Sequence, residues 1–344
     1  MGFGLFYIPS THEDLTVGQV YETIIREVCV AEELGWDNVW FAEHHFDAFG
    51  GAVPSPALLA SAVAMRTTRV RIGAAVIVLP LHHPVRVAEE YAMLDVLSGG
   101  RAELGIGRGF SRHEFRSLGI SMDSREGCFE EGVSVLVNAW TRDSFSFDGE
   151  YYHLRDVELF PKPVQRPHPP IWVAASSNRS SFELAGRFGF NLMLNPYSRE
   201  VDEVRRGLDW YRTALAQAGN DAGSKRIMVN YHLYVARDER TAREEPRTAL
   251  LQYLSAVDQA FVKGEDSGRA APPPPSYDAM YPGRLMFGTP DAIESKIRAW
   301  MRFGVTDFCF MSQFGNLDPD RSLASIRLFS AEVMPRFRGQ GSER

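Results

Sequence analysis

The chain has 344 residues, 44% of them hydrophobic, with a formal net charge of −7. That length can bury a full core in one large domain, expected to span residues 1–344, and the acidic balance argues against nucleic acid or an anionic membrane as partner, since both select clustered Lys and Arg. No run approaches the ~18 apolar residues of a spanning helix and the first ten residues lack a basic stretch, so a soluble, unprocessed, cytoplasmic protein is expected.

Taken in chain order, short β-rich runs alternate with longer amphipathic ones, the pattern of βα units around a parallel sheet. The predicted strands are Phe3–Ile8, Asn38–Ala42, Val70–Val78, Ala102–Gly107, Ile171–Ala175, Asn191–Leu194, Ile227–Val235 and Thr306–Met311. Between the first two, Val17, Val20, Ile24, Val28 and Ala31 fall on one helical face, and Gly35 supplies the stop. Ser55-Pro56, His83-Pro84 and Thr289-Pro290 each place a proline at a first helical position, and Gly99-Gly100 closes the third helix. Eight such units predict a (βα)8 TIM barrel of α/β class, with a doubly wound open sheet as the alternative.

Two stretches exceed a plain barrel. Residues 141–170 hold Phe145, Phe147, Tyr151 and Tyr152 around Asp148-Gly149, which predicts an inserted β-hairpin. Residues 264–283 include four consecutive prolines, Pro272 to Pro275, and are expected to form a mobile loop over the barrel mouth. Cys29, Cys128 and Cys309 make no CxxC pair and are expected as buried free thiols.

Barrel enzymes carry their chemistry on the loops after the strands. Here those loops begin Glu43-His44-His45-Phe46, Leu79-Pro80-Leu81-His82-His83, Gly107-Arg108-Gly109-Phe110 and Ser176-Ser177-Asn178-Arg179-Ser180-Ser181. The serine run opens a helix, where backbone N–H groups and hydroxyls converge on one spot with the helix dipole behind them. By itself it is equally an ordinary N-cap. With Arg108 one strand earlier offering a guanidinium, phosphate binding is the better reading. The Gly105-x-Gly107-x-Gly109 spacing is not that of a dinucleotide fingerprint. Adjacent residues at a strand end point to opposite sides, so His44 and His45 do not chelate one ion, and no metal is expected. One of the two suits acid–base work, two structural histidines being the plain alternative; His82 and His83 read as structural.

Several of these pieces together resemble the bacterial luciferase-like flavin monooxygenases, in particular the branch of the catalytic α subunits. They are Val39-Trp40, Glu43-His44-His45-Phe46, Ala74-Ala75-Val76-Ile77-Val78-Leu79-Pro80, His83-Pro84-Val85-Arg86, Gly105-Ile106-Gly107-Arg108-Gly109, Gly288-Thr289-Pro290 and Leu328-Phe329 with Val333-Met334-Pro335. The resemblance implies a barrel that takes FMN, reduced elsewhere by a flavin reductase, and oxidises a small organic substrate with O2 through a flavin hydroperoxide. It implies that His44 is catalytic, that Arg108 holds the FMN phosphate with Ser177, Ser180 and Ser181, and that a cis Ala75–Val76 backbone lies against the isoalloxazine. Glu43 and Ser176 are counted with the cofactor-binding residues, and Phe46, Gly107 and Phe110 with the substrate side. The family pairs through helices near the first strands, which implies a homodimer through the apolar segment from Ser55 to Met65.

Two departures qualify the resemblance. Gly107 stands where the luciferase α subunit has a reactive cysteine, which opens the substrate side, and Ser176 stands where it has an acidic residue. A deazaflavin-dependent hydride-transfer oxidoreductase and a non-catalytic flavin-binding subunit are the competing readings. His44 counts against the second.

Overall fold

The computed structural model describes residues 1–9, 14–47, 49–264 and 276–338. In chain order the elements are β1 (Gly2–Tyr7), α1 (Val17–Glu33), β2 (Asn38–Phe41), α2 (Pro56–Ala64), β3 (Arg71–Val78), α3 (Pro84–Leu97), β4 (Ala102–Gly107), α4 (Arg112–Ser117), α5 (Arg125–Thr141), β5 (Phe145–Asp148) and β6 (His153–Val157). They continue with β7 (Ile171–Ala175), α6 (Arg179–Phe188), β8 (Asn191–Leu194), α7 (Val201–Gln217), β9 (Ile227–Val235), α8 (Glu239–Glu244), α9 (Arg247–Gly264), α10 (Tyr277–Met280), β10 (Met286–Gly288), α11 (Pro290–Met301), β11 (Asp307–Met311), α12 (Pro319–Glu332) and α13 (Pro335–Arg338).

Eight parallel strands run in the order β9-β11-β1-β2-β3-β4-β7-β8, and β8 pairs back onto β9, closing a (βα)8 barrel. All eight predicted strands are present: four have the predicted bounds, three are a residue shorter, and β1 is shifted by one. The sequence reading missed β10, three residues long, which pairs with the upper end of β9 from Leu233 to Val235. Residues 145–157 form the antiparallel hairpin β5–β6. Glu131 of α5 clasps its turn, accepting the backbone N–H groups of Glu150, Tyr151 and Tyr152.

Alternation along the strands sorts side chains into two cores. Residues such as Leu5, Val39, Ile72, Leu104, Val173, Leu192 and Phe308 face outward and pack under the helices. Phe6, Trp40, Trp172, Met193, Met228, Cys309 and Met311 fill the barrel interior. Trp40 and Trp172 meet edge to face at 5.6 Å. Gly73 makes room for them, since a Cβ there would lie 2.3 Å from the Trp40 ring.

Below these rings the barrel floor is a charged layer. Glu103 joins Arg71 and the Trp172 indole, and Arg226 pairs with Asp307 and stands over the Trp172 ring. Such pairing at the amino ends of barrel strands serves stability.

Prolines begin α2, α3 and α11 as read from the sequence, and Gly35, Gly99 and Gly100 take positive φ after their helices. Three expectations are corrected. Val17 is exposed on α1, where Thr16 and Gln19 form a capping box that fixes the helix start instead. Of the cysteines, Cys309 alone is buried; Cys29 and Cys128 are half-buried. The loop expected over 264–283 lies outside the described residues from 265 to 275, whereas from Ser276 the chain caps α10 and buries Tyr277, Met280 and Tyr281. Ring contacts of Tyr277 and Tyr281, with each other and with Arg247 and Arg243, fix this part. Among the described residues no helix is long and apolar enough to cross a membrane.

Candidate active site

The four loops singled out above do ring one mouth, and they divide it into a histidine side and an anion side. After β2 the neighbouring side chains diverge. His44 turns to α4, where its Nδ1 lies 3.1 Å from Glu114 Oε1, and the same oxygen accepts the His45 backbone N–H at 2.9 Å. The buried Glu114 carboxylate thus anchors both ring and backbone, which leaves the Nε2 edge of His44 for the cleft. That cleft, about 340 Å3, is lined by His44, Phe49, Phe110, Ser111, Glu114 and Ala260. Phe49 and Phe110 pack on the imidazole at 5.2 and 5.9 Å.

His45 goes the other way. Its Nε2 and that of His82 both hydrogen-bond Glu43 Oε1, at 2.8 and 2.7 Å, while Glu43 Oε2 accepts the Val78 N–H. Burial pushes the Glu43 carboxyl up, but the hydrogen bonds from His45 and His82, the charge of His82 and the Val78 N–H outweigh it and bring it down to about 2. The partner effect appears in His82: burial pulls the imidazole down, and the Glu43 carboxylate more than reverses this, raising it. The three ligand atoms lie within 4.8 Å of one another, as divalent-ion ligands do. Their separations are hydrogen-bond lengths with Glu43 as common acceptor, so this is a brace joining the β2 and β3 ends. The Glu43 side chain has no exposed surface, and it reaches a cofactor only by way of these partners.

On the anion side, Arg108 follows β4 and the serine run follows the adjacent β7. The α6 cap is Asn178, whose side chain accepts the Ser180 N–H and hydroxyl. Ser177 is exposed at the rim, Ser181 is tucked under the first turn, and Ser176 turns away to accept a hydrogen bond from Arg199. Arg108 lies over Phe129 with its Nη1 on Glu126 Oε1 at 2.9 Å, and Asn178 donates to that same oxygen at 3.2 Å. Burial lowers the pKa of the guanidinium, and its buried Nε has no hydrogen-bond partner among the described residues. A carboxylate bridging Arg108 and a helix start occupies the position an anion would take, so these residues fit a phosphate group.

Between the two sides lie Ala75, Val76 and Gly107. The Ala75–Val76 peptide is cis. A Cβ on Gly107 would come within 2.7 Å of Val76 Cγ2 and 3.9 Å of the Ala174 Cβ, so glycine keeps this part of the mouth open. Phe46 does not line the cleft. It takes a φ of 58° and turns out onto His45 and His113, half exposed. Glu114, Asn178, Glu126 and Phe49 were not singled out in the sequence. Ser111-x-x-Glu114 carries a visible signal, a capping-box spacing, but this carboxylate reaches His44 instead of its own helix.

A closed barrel that sets a phosphate-sized cradle beside a carboxylate-held histidine is the arrangement of an enzyme working through a bound organic cofactor. The profile described as luciferase-like monooxygenase matches residues 1–307, and the chain belongs to that family of flavin-dependent oxygenases. It is 29% identical to the flavin-dependent trigonelline monooxygenase, oxygenase component, of Acinetobacter baylyi, over 98% of this chain and 96% of that protein. It is 28% identical to an alkanal monooxygenase alpha chain of Photorhabdus luminescens, over 97% of each. The crystal structure of monooxygenase RslO1 from Streptomyces bottropensis superposes with a TM-score of 0.89 at 30% identity, covering 98% of this chain and 100% of that one.

Proposed function

We propose that this chain is the oxygenase of a two-component system: it takes reduced FMN from a separate flavin reductase and uses O2 to place one oxygen atom in a small organic substrate, the other leaving as water. The observation that carries the reading is the pairing of the His44–Glu114 couple, facing a cleft, with an anion cradle at Arg108 and the α6 start. The relative described as an oxygenase component supports the separate reductase.

When bound, reduced FMN supplies the electrons that activate oxygen. Arg108, Asn178, Ser177, Ser180 and Ser181 hold its phosphate, Glu126 giving way. Ala75 and Val76 offer flat backbone to the ring, with Gly107 keeping the adjoining space open. Glu114 fixes the His44 ring so that its Nε2 holds or moves a proton at the reacting oxygen. Phe110 and Phe49 keep water from that edge.

Assembly is read as a homodimer. Leu58 and Met65, 74% and 69% exposed, lie at α2, and Met93 and Leu97 lie exposed on the adjacent α3, forming an apolar strip that an isologous partner would cover.

The test is turnover with reduced FMN, 18O2 and a metabolite panel, read by mass spectrometry. One 18O atom per product supports the reading. Oxidised product without 18O, or turnover with a deazaflavin and not with FMN, overturns it.

A further inference from the structure

One polar pair inside the barrel has no part in the chemistry above. Asn230 and His232 share the face of β9 occupied by Met228 and Tyr234, which belong to the interior core, whereas Val229, Tyr231 and Leu233 face the helices. In the closed strand order β9 stands four strands from β3 in either direction, directly across the barrel from Ala75 and Val76. His232 is fully buried, and neither of its nitrogens has a hydrogen-bond partner among the described residues; Asn230 Oδ1 has none either. Buried polar groups are nearly always partnered, and a site built to bind a ligand oxygen is one place where they are not.

The surroundings state what kind of ligand fits. Tyr253, Tyr197 and Phe314 pack edge-on around the imidazole at 4.7, 5.1 and 5.2 Å. Tyr253 in turn packs on Phe49 at 5.5 Å, and Phe49 on His44, so one continuous aromatic wall links His232 with His44. Burial pulls His232 down to about 3, which keeps it neutral at working pH, with one N–H donor and one acceptor nitrogen. Among the described residues no charged group acts on His232, whose shift comes from burial alone. A charged carboxylate or ammonium would be stranded there, and edge-on rings favour a flat ring over a linear alkyl chain.

We propose that Asn230 and His232 form the polar subsite that recognises the substrate, an uncharged ring compound bearing a carbonyl or hydroxyl oxygen, held on the strand opposite the one that carries the Ala75–Val76 backbone. This rests on reading the mouth as a flavin site. Tyr253 and Tyr197 each pack on the imidazole and hydrogen-bond each other, so the ligand oxygen reaches His232 by displacing one of these rings.

The test compares 1-tetralone with tetralin, which differ in one carbonyl, by calorimetric titration of the full chain with and without FMN. The wild type is expected to bind 1-tetralone about tenfold more tightly, the scale of one net hydrogen bond. His232→Phe preserves the ring cage and should bring the two ligands within about twofold, leaving tetralin affinity and FMN affinity unchanged. Should that variant fail to fold, His232→Leu reads the same ratio. Equal affinities in the wild type, or a tenfold preference surviving in a folded His232 variant, overturns the subsite. A wild type that prefers 1-tetralone yet does not bind FMN supports the subsite and overturns the flavin reading.

Discussion

Replacing Arg108 by Ala and Glu126 by Gln should move FMN affinity in opposite directions. Arg108 is 9% exposed and Glu126 57%, and they meet at 2.9 Å, so an incoming phosphate must take the guanidinium from a carboxylate that swings out readily. A hydrogen bond to a charged group contributes about 1.5–3 kcal/mol net. Part of that is already realised in the Glu126 contact, which puts Arg108→Ala at the lower end, a loss of ~1.5 kcal/mol or about tenfold in Kd. Glu126→Gln removes a like charge from beside the phosphate, an exposed repulsion of roughly 1 kcal/mol, and should tighten binding about fivefold. Titrating FMN fluorescence at low salt reads both, and the gap between the variants should narrow at high ionic strength. Unchanged affinity in Arg108→Ala together with weaker binding in Glu126→Gln would refute the placement of the phosphate.

His44→Ala should fold and bind FMN normally while turnover falls by about 10²–10⁴, and Glu114→Gln should lower turnover by a smaller factor; normal turnover in His44→Ala at normal FMN affinity makes the ring structural. Glu43 lies depressed from 4.5 to about 2, worth ~3 kcal/mol of stability that is complete above pH 4.5 and fades as pH falls toward 2. His82 is raised, so its contribution is complete below 6.5 and fades as pH climbs through its elevated value. Denaturant melts should therefore show Glu43→Gln destabilised at pH 6 and the deficit shrinking by pH 3; equal stability at pH 6 contradicts the brace. Light scattering should give twice the 38.6 kDa chain mass, and Leu58→Glu should return it to one.

The barrel was legible because its strands are apolar runs bounded by turn residues and spaced by amphipathic helices. β10 was not, since Met286–Gly288 is too short to show any period. The phosphate side was half legible: Arg108 and the serine run stand out, but the serines hide Asn178, the residue that caps the helix and reaches Glu126. The His44–Glu114 contact spans 70 residues, and local rules assign that carboxylate to its own helix end. Phe46 and Phe110 look equivalent in sequence. A positive φ at Phe46 separates them, and backbone sign is not written in an aromatic side chain. Asn230 and His232 show as polar alternates in an apolar strand, but only ring closure sets them opposite β3.

The ionic floor of the barrel, where Arg71, Glu103, Arg226 and Asp307 interlock beneath Trp172, ties neighbouring strands together at the end away from the mouth. A floor locked in this way lets the loops at the mouth vary without shifting the strand ends that carry them.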